Sequence, residues 1–127
     1  MNALLIISGV FALFTTVGHF AVGSKRFLVP MLQASFDEVA KKIMHCVFHY
    51  VSAYLVLSTC ALFALGFGVS LGVDGQLLAR FIAVHYAVFA ITQIAIALTS
   101  SLDKALARLF QWVLFIPIAL FAWLGAL

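Results

Sequence analysis

The side chains best suited to chemistry in this sequence are four histidines, all of which lie in long apolar stretches of the chain. His45 and His49 are an i, i+4 pair, so on an α-helix both imidazoles project from one face and can reach one ion. The other two are His19 and His85. Neutral imidazole is a common ligand of zinc, copper, nickel and iron. The spacing therefore indicates a transition-metal site.

Depth along the helices suggests which histidine would join the pair. Counting from the nearest charged loop at about 1.5 Å per residue, His19 and His45 lie roughly 5 Å deep in the apolar layer, His49 roughly 10 Å and His85 roughly 20 Å. Three imidazoles thus share one half of that layer. We predict a metal site formed by His45, His49 and His19, with one position left for water or substrate and with His85 as a supporting partner.

Haem b is the second way to use these histidines. Two axial ligands must face each other from different helices at similar depth, and His19 with His45, or His49 with His85, could do so. No C-x-x-C-H motif is present, so any haem would be held without covalent attachment. The sequence leaves the choice between a metal ion and haem open.

A purely structural interpretation competes with both. Each histidine could hydrogen-bond a hydroxyl, an amide or a backbone carbonyl of a neighbouring helix, a contribution of about 1 kcal/mol. Polar residues on the first helix fall on one stripe, which includes Ser8, Thr15, Thr16 and His19. We expect this stripe to face other helices, because lipid offers polar side chains no partner.

The elements that must carry these residues follow from composition. Of the 127 residues, 66% are hydrophobic and 9% charged, and the mean hydropathy is +1.24, whereas a soluble domain is roughly half apolar and a quarter charged. A chain this small cannot bury that much apolar surface away from water. Composition therefore indicates an integral membrane protein and excludes a soluble nucleotide-binding enzyme, a disulfide scaffold and a disordered tail. Net charge is only +3, which insertion topology explains without nucleic acid.

Four apolar stretches are long enough to cross a bilayer core, for which roughly 20 residues suffice. The predicted fold is an all-α, four-helix up-down bundle forming one domain over residues 1–127. Its spans are residues 2–22, 43–65, 77–99 and 109–126.

Residues 25–42, between the first two spans, are predicted to form an amphipathic cytoplasmic segment that contains a capping box. In that box Ser35 caps a second helix that begins at Phe36, and Glu38 reaches back to the cap. The cations of this segment are expected to contact lipid headgroups or a partner. They are Lys25, Arg26, Lys41 and Lys42.

The distribution of Lys and Arg predicts orientation. Six of the seven lie in the connections between spans one and two and between spans three and four, and Arg80 alone lies at the opposite face. The positive-inside rule then places the charged loops in the cytoplasm and both termini outside. We expect a bacterial inner (cytoplasmic) membrane.

No Asp or Glu falls within a predicted span, so carboxylate-bridged metal sites and paired acid–base hydrolysis lack their central residues. The leading function is a small membrane protein that holds a transition metal or haem b for metal handling or electron transfer. The alternative is a non-catalytic accessory or assembly subunit of a larger membrane complex, in which the histidines only pack helices. Expected partners are membrane lipid and either such a complex or further copies of the chain. Whether the protein is an enzyme stays open.

Overall fold

The structure, a computed structural model, describes all residues 1–127 and consists of helices joined by turns, without a β-strand. The predicted all-α fold is confirmed. A single helical turn, Ala105–Arg108, precedes the last helix. The four main helices are α1, Ala3–Gln33; α2, Glu38–Gly66; α3, Gly75–Thr99; and α4, Trp112–Gly125.

Three of these helices, α1 to α3, are long and apolar enough to cross a membrane. α4 is equally apolar but has 14 residues, which span about 21 Å against a hydrocarbon core of about 30 Å. By length and composition the chain therefore has three candidate membrane spans. The fourth span at residues 109–126 and the four-span bundle stay predictions.

α1 continues well beyond the predicted boundary at residue 22. Its middle part, His19–Leu28, is π-helical, and the Val29 N–H donates to the Ser24 carbonyl five residues back. Gly23 does not adopt a left-handed backbone conformation and so does not end the helix. Pro30 is accommodated because it lies at the start of the next α-helical stretch, Val29–Gln33. Much of the segment expected at residues 25–42 is thus an extension of α1.

α2 begins at Glu38, two residues after the predicted start at Phe36. Asp37 Oδ1 accepts a 2.8 Å hydrogen bond from the Ala40 N–H, so Asp37 caps the helix in place of Ser35. A carboxylate both accepts this bond and interacts favourably with the positive end of the helix dipole. Glu38 does not reach back to the cap and instead forms a 2.7 Å ion pair with Lys41.

α1 is central to the packing: it contacts α2 on one side and α4 on another, and α4 packs in turn against α3, while α2 and α3 touch only sparsely. Alanines lie between the larger side chains of the core and let the helices approach closely, as is common in membranes. The large buried core residues are Leu5, Leu55, Leu62, Ile82, Tyr86 and Ile118.

Hydrogen bonds join all four helices at one end of the molecule. The Asn2 N–H donates to the Gly66 carbonyl and its side-chain amide donates to the Gly125 carbonyl, both at 2.7 Å. Arg80 Nη2 donates to the Ala126 carbonyl at 2.8 Å. The two termini therefore lie at the same end, and the connections that carry most cations lie at the other.

Candidate functional site

His45 and His49 form the histidine pair that their spacing predicts. Their Nε2 atoms are 3.1 Å apart, and the pair lies on α2 with His49 exposed and His45 half-buried. Two imidazole nitrogens bound to one tetrahedral ion at 2.0–2.1 Å are about 3.3 Å apart. A hydrogen bond between the two rings thus holds them close to the separation that a shared ion needs.

His19 is directed away from this pair. Its Nε2 lies 2.8 Å from Ser52 Oγ, and its ring stacks on Phe48 with the centroids 4.2 Å apart. Because the Ser52 hydroxyl donates to the Phe48 carbonyl at 2.9 Å, its oxygen is free to accept a hydrogen bond from His19, so the His19 Nε2 is engaged by Ser52 and is not directed at the pair. No three His, Cys, Asp or Glu side chains are grouped to hold an ion. The predicted ligand set of His45, His49 and His19 therefore finds no support.

His85 packs against aromatic side chains on α2 and α3. Its Nδ1 lies 3.2 Å from the Phe81 carbonyl, and its ring stacks on Tyr54 with the centroids 5.0 Å apart. No two of these histidines therefore face each other from different helices as the axial ligands of a haem would. His19 directs its Nε2 at Ser52, and the rings of His45 and His49 direct theirs at each other.

The expected inward orientation of the polar stripe on α1 is confirmed for its hydroxyl residues. Ser8, Thr15 and Thr16 are buried. Thr16 Oγ1 lies 3.0 Å from Thr59 Oγ1 of α2, and Ser8 Oγ donates to the Ile118 carbonyl of α4 at 2.8 Å. These contacts hold α1 to both of its neighbours.

The four cations predicted to contact lipid or a partner differ in their surroundings. Lys25 and Arg26 are exposed at the π-helical part of α1, and Lys42 is exposed on α2. Lys41 is half-buried and forms an ion pair with Glu38, and its Nζ lies 5.7 Å from the Phe36 ring centroid. The predicted role of these residues stays a prediction.

A cavity of about 340 Å³ lies between the π-helical part of α1, the middle of α2 and the start of α4. Its polar lining residues come from distant positions in the chain, so their spacing in the sequence could not predict the cavity. The distribution of Lys and Arg had placed both arginines in charged connections, but not at one site. Its polar lining residues are Thr15, His19, Arg26, Arg108 and Gln111.

No protein-family model matches this chain, and neither a curated protein nor a solved structure is significantly similar to it.

Proposed function

We propose that this protein is a membrane metal-binding protein whose His45 and His49 imidazoles share one transition-metal ion. The observation that carries the proposal is the 3.1 Å separation of the two Nε2 atoms on an accessible face of α2. The chain supplies two ligands, and water or a donor from another molecule fills the remaining positions. Permanent structural ions generally have four protein ligands. A two-ligand site therefore favours transient metal handling over electron transfer.

The donor set narrows the class of ion. Two neutral imidazoles without a thiolate or carboxylate suit Zn²⁺, Ni²⁺ or Cu²⁺ better than Mg²⁺ or Ca²⁺, which prefer oxygen ligands. Cys46 is adjacent in sequence to His45 but projects about 100° away around the helix. Among ions that imidazole binds, Cu²⁺ is expected to bind most tightly, in keeping with the general affinity order of divalent metals.

The test is a calorimetric titration of the purified protein in mild detergent with Zn²⁺, Ni²⁺ and Cu²⁺. The wild-type chain should bind one ion. His45→Ala combined with His49→Ala should weaken binding by at least about tenfold, since losing even an outer contact of a metal site costs that much. His85→Ala is the matched control, because it removes a half-buried imidazole that does not contact the pair.

Binding that survives in the double variant, or that His85→Ala weakens equally, would contradict the proposal. So would a wild-type chain that binds no ion above the detergent blank. That last result would favour the second candidate, an accessory or assembly subunit of a larger membrane complex. The observation favouring this candidate is that His19 and His85 are already engaged by Ser52 and Tyr54 as packing groups.

We further propose that the chain crosses a bacterial inner membrane four times, with both termini extracytoplasmic. Six of seven Lys and Arg residues lie in the two connections assigned to the cytoplasm. The apolar Leu109 and Phe110 precede α4 and lengthen its apolar stretch. An all-helical chain also suits this membrane, because bacterial outer membranes hold β-barrels.

A further inference from the structure

We infer that the cavity beside His19 is a binding site for the phosphate headgroup of an anionic membrane phospholipid. Two arginines, Arg26 on α1 and Arg108 before α4, line this single cavity. The inference is independent of the metal site proposed above, because neither His45 nor His49 lines the cavity.

Charge is the first argument. The only salt bridge in the structure joins Lys41 to Glu38, so neither Arg26 nor Arg108 is neutralised by a carboxylate. No Asp or Glu lines the cavity. Two arginines without a carboxylate partner at one cavity favour an anion there, and arginine forms planar, paired hydrogen bonds with phosphate oxygens.

Gln111 adds a neutral donor to the same space. Its Oε1 accepts a 2.5 Å hydrogen bond from Gln93 Nε2. The Gln111 side-chain N–H groups make no hydrogen bond within the protein, and Gln111 lines the cavity. The site thus offers donors and no acidic acceptor, which selects for an anionic oxygen.

The remaining walls are apolar and fit a lipid better than a free ion. Val22, Phe27, Leu114 and Phe115 line the cavity. Its volume of about 340 Å³ is at the lower end of ligand pockets, so it holds a headgroup and the first carbons of a lipid. The acyl chains must extend into the bilayer. Basic pockets between membrane helices on the cytoplasmic side commonly bind acidic lipid headgroups.

Native mass spectrometry of the full chain, titrated in mild detergent, tests the inference. The probes are dioleoylphosphatidylglycerol, dioleoylphosphatidylcholine and inorganic phosphate. We expect phosphatidylglycerol adducts on the wild-type chain and a loss of at least about tenfold in their affinity in Arg26→Gln with Arg108→Gln, because two charge-assisted contacts disappear. Lys25→Gln with Lys104→Gln changes the net charge equally at residues that do not line the cavity and should keep the adducts.

Gly18→Leu provides a variant that leaves every charge in place. Gly18 lines the cavity, and a Cβ added there meets nothing within 4 Å. A leucine side chain should occupy part of the cavity and weaken the adduct without disturbing helix packing, which keeps the test decisive if the arginine variant fails to fold.

Three outcomes would overturn the inference. Equal losses in the arginine and lysine variants would show diffuse surface attraction. An adduct of unchanged affinity in Gly18→Leu would place the lipid elsewhere. Binding of inorganic phosphate without phosphatidylglycerol would make the cavity a site for a free anion.

Discussion

Hydroxyl groups buried between helices define the interior at the level of single residues. Tyr86 is 0% exposed, and its hydroxyl oxygen lies 2.9 Å from Ser58 Oγ of α2. Because α2 and α3 touch only sparsely, this bond is one of the few direct links between them. In lipid such a bond contributes on average about 0.6 kcal/mol, since the unfolded chain also finds partners within the membrane.

Tyr86→Phe should therefore lower the free energy of unfolding by roughly 0.5–1 kcal/mol. The ring still fills its place in the core, and Ser58 Oγ keeps its 3.2 Å bond to the Leu55 carbonyl. Denaturation with sodium dodecyl sulfate in mixed micelles measures the change. Tyr50→Phe is the control, since Tyr50 is 69% exposed and losing its hydroxyl should leave stability unchanged. Equal effects of the two substitutions would refute this role of the Tyr86 hydroxyl.

Local spacing explains which parts of the candidate site were predictable. The His45–His49 contact follows from α-helical geometry alone, because an i, i+4 pair on any regular helix brings the two side chains together. The orientation of His19 depends on the rotation of α1 against α2 and on its hydrogen bond with Ser52. Neither depends on neighbours in sequence, so the sequence could not place the His19 ring relative to the pair.

At the level of elements, the sequence predicted where the long helices lie better than where they end. Apolar runs located all three long helices, because lipid contact requires an uninterrupted apolar surface. The end of α1 was missed by about ten residues, since Gly23 and the cations after it are common features of a helix end. Through His19–Leu28 the chain instead remains helical with the wider π-type hydrogen bonding, a departure often found near functional sites.

The crossing of α1 and α2 depends on a glycine. A Cβ on Gly66 would lie 2.7 Å from Ile6 Cγ1 and 3.0 Å from the Ile6 backbone nitrogen. The Asn2 N–H donates to the Gly66 carbonyl at the same place, so the two backbones cannot separate without loss of that bond.

Gly66→Ala should consequently destabilise the fold by about 1–3 kcal/mol, the usual cost of overpacking. Gly18→Ala is the matched control: its Cβ would meet nothing within 4 Å, and replacing a helical glycine should raise stability by up to about 1 kcal/mol. Thermal unfolding in detergent, followed by circular dichroism, compares the two. If Gly66→Ala unfolds at the same temperature as Gly18→Ala, the close approach is not important for stability.

The whole molecule is polarised between its ends. One end carries the hydrogen bonds that join Asn2 and Arg80 to the last residues of α4 and to the end of α2. The Arg80 guanidinium donates one of these bonds, so the single cation at this end has a specific structural partner. Most of the remaining cations lie at the other end, where they can retain a loop in the cytoplasm.

This polarity leads to a prediction that separates three spans from four. In a chain with Cys46→Ala and Cys60→Ala, single cysteines at Ser70, Ser101 and Leu127 report the sidedness of each connection, since all three positions are exposed. A maleimide that cannot cross membranes should label Ser70→Cys and Leu127→Cys in intact cells, and Ser101→Cys only after permeabilisation.

The sidedness of Ser101 relative to Leu127 decides between three spans and four. α4 alone covers about 21 Å, so it crosses the hydrocarbon only if the residues before it also enter the membrane or the bilayer thins locally. Labelling of both positions from one side would mean that α4 lies within a leaflet and that the chain crosses three times. Opposite sidedness would establish that the hydrogen bonds among Asn2, Gly66, Arg80 and Ala126 form at one membrane surface and that the lipid-binding cavity opens near the other.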